Sequence, residues 1–174
     1  MFQLDPDRNY PKKTESHSLI RFQDCDPMQH LNNAKYLDYY FNAREDQLFS
    51  IYGFTIDYPF RKYQSAWVVY NHQIGYVRPA RVGEWVTIIA SIIYYDEDTM
   101  VTEYVMTNEN KTELKNMLWS TMKYVSVLNG KRMTHQEDIA DFLKIASVEG
   151  VDYPNVSFND RIKQIKTALA EGRY

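Results

Sequence analysis

The stretch Arg21-Phe22-Gln23-Asp24-Cys25-Asp26-Pro27-Met28-Gln29-His30-Leu31-Asn32-Asn33-Ala34-Lys35-Tyr36-Leu37 constrains this chain more than any other. Upstream of it, Ser16 to Asp26 alternates: Ile20, Phe22 and Asp24 point one way, Leu19, Arg21 and Gln23 the other, a half-buried strand whose last same-face residue is Asp26. Pro27 has no N–H and ends the ladder. Downstream, Asn32 or Asn33 can cap a helix. Leu37, Phe41, Arg44, Leu48 and Ile51 then follow helical spacing, with Tyr40 widening the stripe, until Gly53 offers a left-handed stop. A strand must therefore hand over to a long helix across a junction that carries Asp24, Asp26, His30, Asn32 and Asn33. A helix start presents unpaired N–H groups and the positive end of a dipole. A carboxylate and amide side chains beside it suit a carbonyl whose oxygen gains charge as it reacts.

The remaining chain reads as the frame for that junction. Residues 1–13, with Pro6 and Pro11, read as an arm, and 54–64 as a loop. Strands are expected at Ala66–Val77, Glu84–Tyr95, Met100–Thr107 and Glu113–Leu128, joined by short turns such as Asp96-Glu97-Asp98 and closed by Asn129-Gly130, which implies an antiparallel meander. Thr134 and Glu137 form a capping box ahead of Ile139, Phe142, Leu143 and Ala146, and Asn159 is expected to cap a last helix carrying Ile162, Ile165 and Leu169. The order strand, long helix, meander, helical tail predicts an α+β fold in which a curved antiparallel sheet wraps one long helix. Residues 14–130 form the domain, and 131–174 a C-terminal helical extension packing on it.

Composition narrows the function. At 174 residues, 25% charged and 44% hydrophobic, the chain suits one globular domain. A net charge of −3 gives no reason to expect nucleic acid, and no apolar run is long enough for a membrane. Met1-Phe2-Gln3-Leu4-Asp5-Pro6 lacks a signal-peptide core, and the single cysteine, Cys25, rules out an internal disulfide and fits a reducing compartment, so a cytoplasmic location is expected. Cys25 lies on the opposite strand face from the two acids, and a lone cysteine is more often a small hydrophobe than a nucleophile. His17, His72 and His135 show no ligand spacing with His30, so zinc is not expected; a histidine orienting substrate or supporting the helix start fits better. An Asp24–Asp26 acid pair of the phosphatase kind needs a buried parallel strand, which the pattern lacks, while a solvated strand end remains open. Arg61, Lys62, Arg78 and Arg81 are ordinary solvated charges by default and phosphate contacts if a nucleotide-bearing ligand approaches.

The run Asp24-Cys25-Asp26-Pro27, then His30-Leu31-Asn32-Asn33-Ala34-Lys35-Tyr36-Leu37 and Ala43-Arg44, resembles the hotdog-fold acyl-CoA thioesterases of the 4-hydroxybenzoyl-CoA thioesterase type. Ile74-Gly75-Tyr76-Val77-Arg78-Pro79-Ala80-Arg81-Val82-Gly83-Glu84 is similar to that family's second signature. Gln29 stands where the family usually has glycine before the histidine. The resemblance implies a hotdog fold and hydrolysis of an acyl-CoA or related pantetheine thioester, with no cofactor or metal. It casts Asp26 as general base or nucleophile, the N–H near Asn33 as oxyanion donor, and His30 and Asn32 as positioning groups, with Tyr36, Arg78 and Arg81 toward substrate. It also implies a homodimer or homotetramer with sites at the subunit interface. The rivals are a hotdog protein that binds acyl-CoA without hydrolysis and a hotdog dehydratase, which needs its own histidine–acid pair.

Overall fold

In the computed structural model, which describes residues 5, 8–153 and 155–174, the backbone builds one antiparallel sheet from β1 (Lys13–Leu19), β2 (Ser65–Tyr76), β3 (Trp85–Tyr95), β4 (Thr99–Asn108) and β5 (Leu114–Ser126), in the order β1-β3-β4-β5-β2. Four helices accompany it: α1 (Tyr36–Gln47), α2 (Tyr58–Tyr63), α3 (Glu137–Ala146) and α4 (Phe158–Ala170). The α+β expectation holds, with one change of topology. Only β3, β4 and β5 form a meander; β2 pairs with β5 rather than with β3 and becomes a sheet edge. That edge shifts register between Val69 and Asn71, so Tyr70 stands in a bulge, 70% exposed. Of the arm expected over 1–13, residues 1–4, 6 and 7 lie outside the described residues.

The long helix begins with a 3-10 turn at Asn33–Lys35, runs through α1, and ends in a π-helical turn at Leu48–Tyr52 that Gly53 closes at φ 66°. Its buried stripe is rotated from the one the sequence suggests. Tyr36, Tyr40, Ala43, Arg44 and Gln47 are buried, whereas Leu37 and Phe41 are only partly so. Two of those buried residues are polar, and they tie the helix to β1. Gln47 accepts from the Thr14 hydroxyl at 2.7 Å and donates to Ser16 Oγ at 3.0 Å. Arg44 Nη1 donates to Thr14 Oγ1 at 3.2 Å. Against this helix β3 sets Val86, Ile88 and Ala90, β4 sets Tyr104 and Met106, and β5 sets Leu118, each apolar on alternate positions as a strand facing a core requires.

The other sheet face is covered too. Ile89, Val101, Val105, Met117 and Trp119 pack under Phe158, Ile165 and Leu169 of α4. Gly75 leaves room for this helix: a Cβ there would lie 2.7 Å from Ile162 Cδ1. Both faces of the central strands are therefore dry, which explains why their pattern is nearly continuous apolar instead of alternating.

Several local expectations are corrected. The first strand stops at Leu19, and Phe22–Asp24 is a 3-10 turn. Residues 54–64 include a helix, α2, with Pro59 in its first turn, where a missing N–H costs nothing. Thr134 does not cap α3, whose N-cap is Gln136. The cap of α4 is Ser157, whose hydroxyl accepts from the Asp160 N–H at 3.1 Å, rather than Asn159. No helix among the described residues is long and apolar enough to cross a membrane.

Candidate active site

The loop at 26–31 is built by one side chain. Asp26 Oδ1 accepts from the N–H groups of Met28 at 2.8 Å and His30 at 3.1 Å. The Asp26 N–H donates to the His30 carbonyl at 2.8 Å, and the Gln29 N–H to the Asp26 carbonyl at 2.9 Å. So tight a turn puts Gln29 at φ 62°, the left-handed region. The position where the resemblance expects glycine is thus one whose backbone favours glycine, and Gln29 adopts it against a steric penalty. Asp26 Oδ2 carries no hydrogen bond among the described residues, so one oxygen positions the carboxylate and the other stays open.

The second motif is the seat of this loop. The Leu31 N–H donates to Ala80 O at 2.8 Å, the Val82 N–H to Gln29 O at 3.0 Å, and His30 and Arg81 form a bridge between. Gly83, at φ 76°, turns the chain back so that its N–H reaches Ile20 O at the end of β1.

Asp26, His30, Asn33, Tyr36, Tyr76 and Arg78 line a cleft of ≈210 Å³ at the start of the long helix. The Tyr76 hydroxyl donates to Asn33 O at 3.1 Å, and its ring meets that of Tyr36 edge-on at 5.3 Å. Burial pushes the Tyr36 phenol above its ordinary value, so it stays a neutral donor. Arg78 pairs with Glu113 at 3.1 Å but is largely exposed, where such a pair holds it weakly. Asn32 and Arg81 do not line this cleft: Asn32 Oδ1 caps the Ala34 N–H at 3.0 Å, and the Arg81 side chain is exposed. Asp24 is turned away, accepting from the Tyr39 hydroxyl at 3.0 Å, because the 3-10 turn separates it from Asp26. The Cys25 thiol donates to Arg21 O, and burial, with the charges of Asp24 and Asp26, pushes it further toward the protonated form, the opposite of what a nucleophile needs. No group of three or more His, Cys, Asp or Glu that could hold a metal stands together among the described residues. Tyr76 was missed by the sequence reading although it sits inside the second motif; its neighbour Arg78 drew attention through charge.

A second cavity, of ≈280 Å³, lies farther along α1 on the β2 side. Phe41, Leu48, Trp67, Met100 and Met122 line it together with Arg44. Nothing in the strand pattern announces it, because its walls come from elements far apart in sequence.

The family model of the thioesterase-like superfamily matches residues 20–143. The chain belongs to this superfamily. Solved structures agree in fold. The YbaW probable thioesterase from Escherichia coli superposes with TM-score 0.67 at 22% identity, over 77% of this chain and 98% of that one. A 1,4-dihydroxy-2-naphthoyl-CoA thioesterase from Synechocystis gives 0.69 at 13%, over 82% and 99%. A 12:0-ACP thioesterase from Umbellularia californica gives 0.72 at 14%, over 86% of this chain and 54% of that one. At such identities the likeness is one of fold, the hotdog, with its antiparallel sheet around a central helix. No curated protein sequence matches the chain. Membership of the thioesterase-like superfamily supports thioester hydrolysis as the general activity.

Proposed function

We propose that this superfamily member hydrolyses an acyl-CoA, or a related pantetheine thioester, to the free acid and thiol, with Asp26 as the reacting group. One observation carries the reading: a carboxylate held by two backbone N–H groups through one oxygen, with the other oxygen unengaged, in a cleft at a helix start. Asp26 Oδ2 takes a proton from a water that attacks the thioester carbonyl, or attacks that carbon itself and is later released by water. Either way the carbonyl electron pair moves to oxygen. The N–H of Asn33, in the first turn where no intrahelical acceptor exists, meets that charge. The carbon–sulfur bond then breaks and the thiolate leaves. His30 holds the loop, Tyr36 and Tyr76 wall the thioester, and Arg78 and Arg81 lie toward the CoA phosphates. The acyl chain enters the cavity beneath α1.

The same reading includes a homodimer, joined through the exposed edge of β2, with each cleft completed by the neighbouring subunit. Residues 14–130 form the catalytic domain and 131–174 an extension of it.

Thiol release from a set of acyl-CoAs tests the reading, with wild type beside Asp26→Asn. The variant keeps size and the turn's acceptor oxygen but is no base, and turnover falls by on the order of 10²-fold or more while binding persists. Unchanged turnover in Asp26→Asn overturns the assignment. Tight acyl-CoA binding by wild type without thiol release favours a carrier or regulator instead.

A further inference from the structure

Arg44 is 7% exposed and lines the cavity beneath α1. Its hydrogen bonds go to the hydroxyls of Thr14 and Tyr52, and among the described residues it makes no ion pair. The molecule treats a second, mostly buried arginine differently. On the far side of the sheet Arg161 meets Glu103 at 2.8 Å. A buried guanidinium without a counter-charge is costly, because its hydration is lost and nothing opposite in sign replaces it. The one acid in the cavity wall is Glu45, which is exposed at the rim and forms no ion pair with Arg44.

One further polar side chain, Thr102, lines the cavity with Arg44. Thr102, Ser120 and His72 are cross-strand partners on β4, β5 and β2 and therefore share one face. That face looks toward α1, since the His72 ring lies 5.7 Å from Phe41. Ser120 and His72 lie behind Thr102 on the sheet, outside the cavity wall, and their Oγ and Nδ1 are buried without a hydrogen-bond partner. A pocket made only for a saturated hydrocarbon has no use for a guanidinium without a counter-charge. An anionic head suits it: a carboxylate neutralises Arg44 with paired N–H bonds, which a methyl cannot do and a hydroxyl does only in part.

We propose that the acyl group of the substrate ends in a carboxylate, so that the substrate is the CoA half-thioester of a dicarboxylic acid and Arg44 binds the distal carboxylate in the cavity beneath α1. This rests on the function proposed above and names its substrate class. Arg44 lies eight residues along the helix from Tyr36 in the catalytic cleft, about 12 Å at 1.5 Å per residue. That span suits an acyl group of medium length.

The test compares octanoyl-CoA with suberoyl-CoA, equal in chain length and different in the end group, by thiol release and by calorimetric binding to the Asp26→Asn protein. Suberoyl-CoA is expected to exceed octanoyl-CoA in kcat/KM by at least ~10-fold, since a site built for a polar group discriminates against its loss. Arg44→Gln is expected to abolish that ratio and Arg44→Lys to retain part of it, with thermal melts confirming folding. Should both variants unfold, wild type alone decides: free suberate raises its melting temperature more than octanoate does. A wild-type ratio at or below one, or a ratio that survives in folded Arg44→Gln, overturns the proposal. If no thioester releases thiol, the hydrolase reading fails, while calorimetric preference for suberoyl-CoA still decides the role of Arg44.

Discussion

Glu103 on β4 and Arg161 on α4 meet in a two-point contact, Nε to Oε2 at 2.9 Å and Nη2 to Oε1 at 2.8 Å, with the Trp119 indole N–H donating to the same carboxylate at 3.0 Å. The Glu103 side chain is wholly buried. The pair lies between the sheet and the last helix, and Tyr174 approaches it from the chain end. Removing one partner strands the other charge in an apolar layer. Arg161→Met should therefore cost about 3–5 kcal/mol in denaturant unfolding. The double change Glu103→Leu with Arg161→Met should recover much of that loss. A cost below 1 kcal/mol for the single change would mean that α4 is loosely docked.

Gln29 offers a gain instead of a loss. A left-handed backbone costs a side-chain-bearing residue about 1–2 kcal/mol, and glycine returns part of this through its looser unfolded chain. Gln29→Gly should raise stability by roughly 0.5–1 kcal/mol without lowering turnover. Gln29→Pro should do the reverse, because proline locks φ near −65° and removes the N–H that the Asp26 carbonyl accepts. Equilibrium unfolding of the two variants checks both signs.

Two histidines set a pH dependence. Burial holds His72 and His135 below the ordinary histidine value, and His135 Nε2 accepts from the Trp67 indole at 3.0 Å, which needs a neutral ring. Below about pH 6.5 the unfolded chain binds protons that the folded protein does not. Their contribution to stability is therefore complete above that pH and declines as pH falls toward the lowered folded values. Denaturant midpoints should drop between pH 7.5 and 5.5. Replacing His135 with Gln should flatten part of that slope, whereas an unaltered slope would remove His135 as its source.

The exposed edge of β2 carries Val68, Val69 and Tyr70, 44%, 49% and 70% exposed. Light scattering at micromolar concentration should show a dimer, and Tyr70→Lys should weaken it by at least ~10-fold by placing like charges at the join. Assembly back to back across the sheet should not occur, because α4 occupies that face. Deleting residues 148–174 should uncover it and produce larger species. A wild-type monomer with full activity would argue against a shared site.

How much of this was legible in the residues follows from range. The positions of β2 to β5, the left-handed stop at Gly53 and the Asp26 to Asn33 junction rest on local pattern and turn chemistry, and the structure places them within a few residues, whereas the first strand ends seven residues earlier than expected. The partner of β2 did not, because its pattern says it is a strand but not that β5 rather than β3 lies beside it. The expected stripe on α1 includes Arg44 but not Gln47, which is buried by bonding to Thr14 and Ser16 of β1, a cause that hydrophobic spacing does not register. Asp24 was set beside Asp26 by assuming an unbroken strand; the turn at Phe22–Asp24 needs the Ile20–Glu84 pairing to be known first. The motif Ala80-Arg81-Val82 was visible as a resemblance, but its work, holding the 26–31 loop by backbone bonds, belongs to tertiary contact alone.

The bulge at Tyr70 has a consequence for how this protein lives among its own copies. A straight apolar border invites any passing extended segment to zip along it, and such growth has no natural end. A border bent at its midpoint fits poorly against a flat intruder and admits a counterpart carrying the same bend. The irregularity in the ladder thus works against open-ended strand addition along this edge.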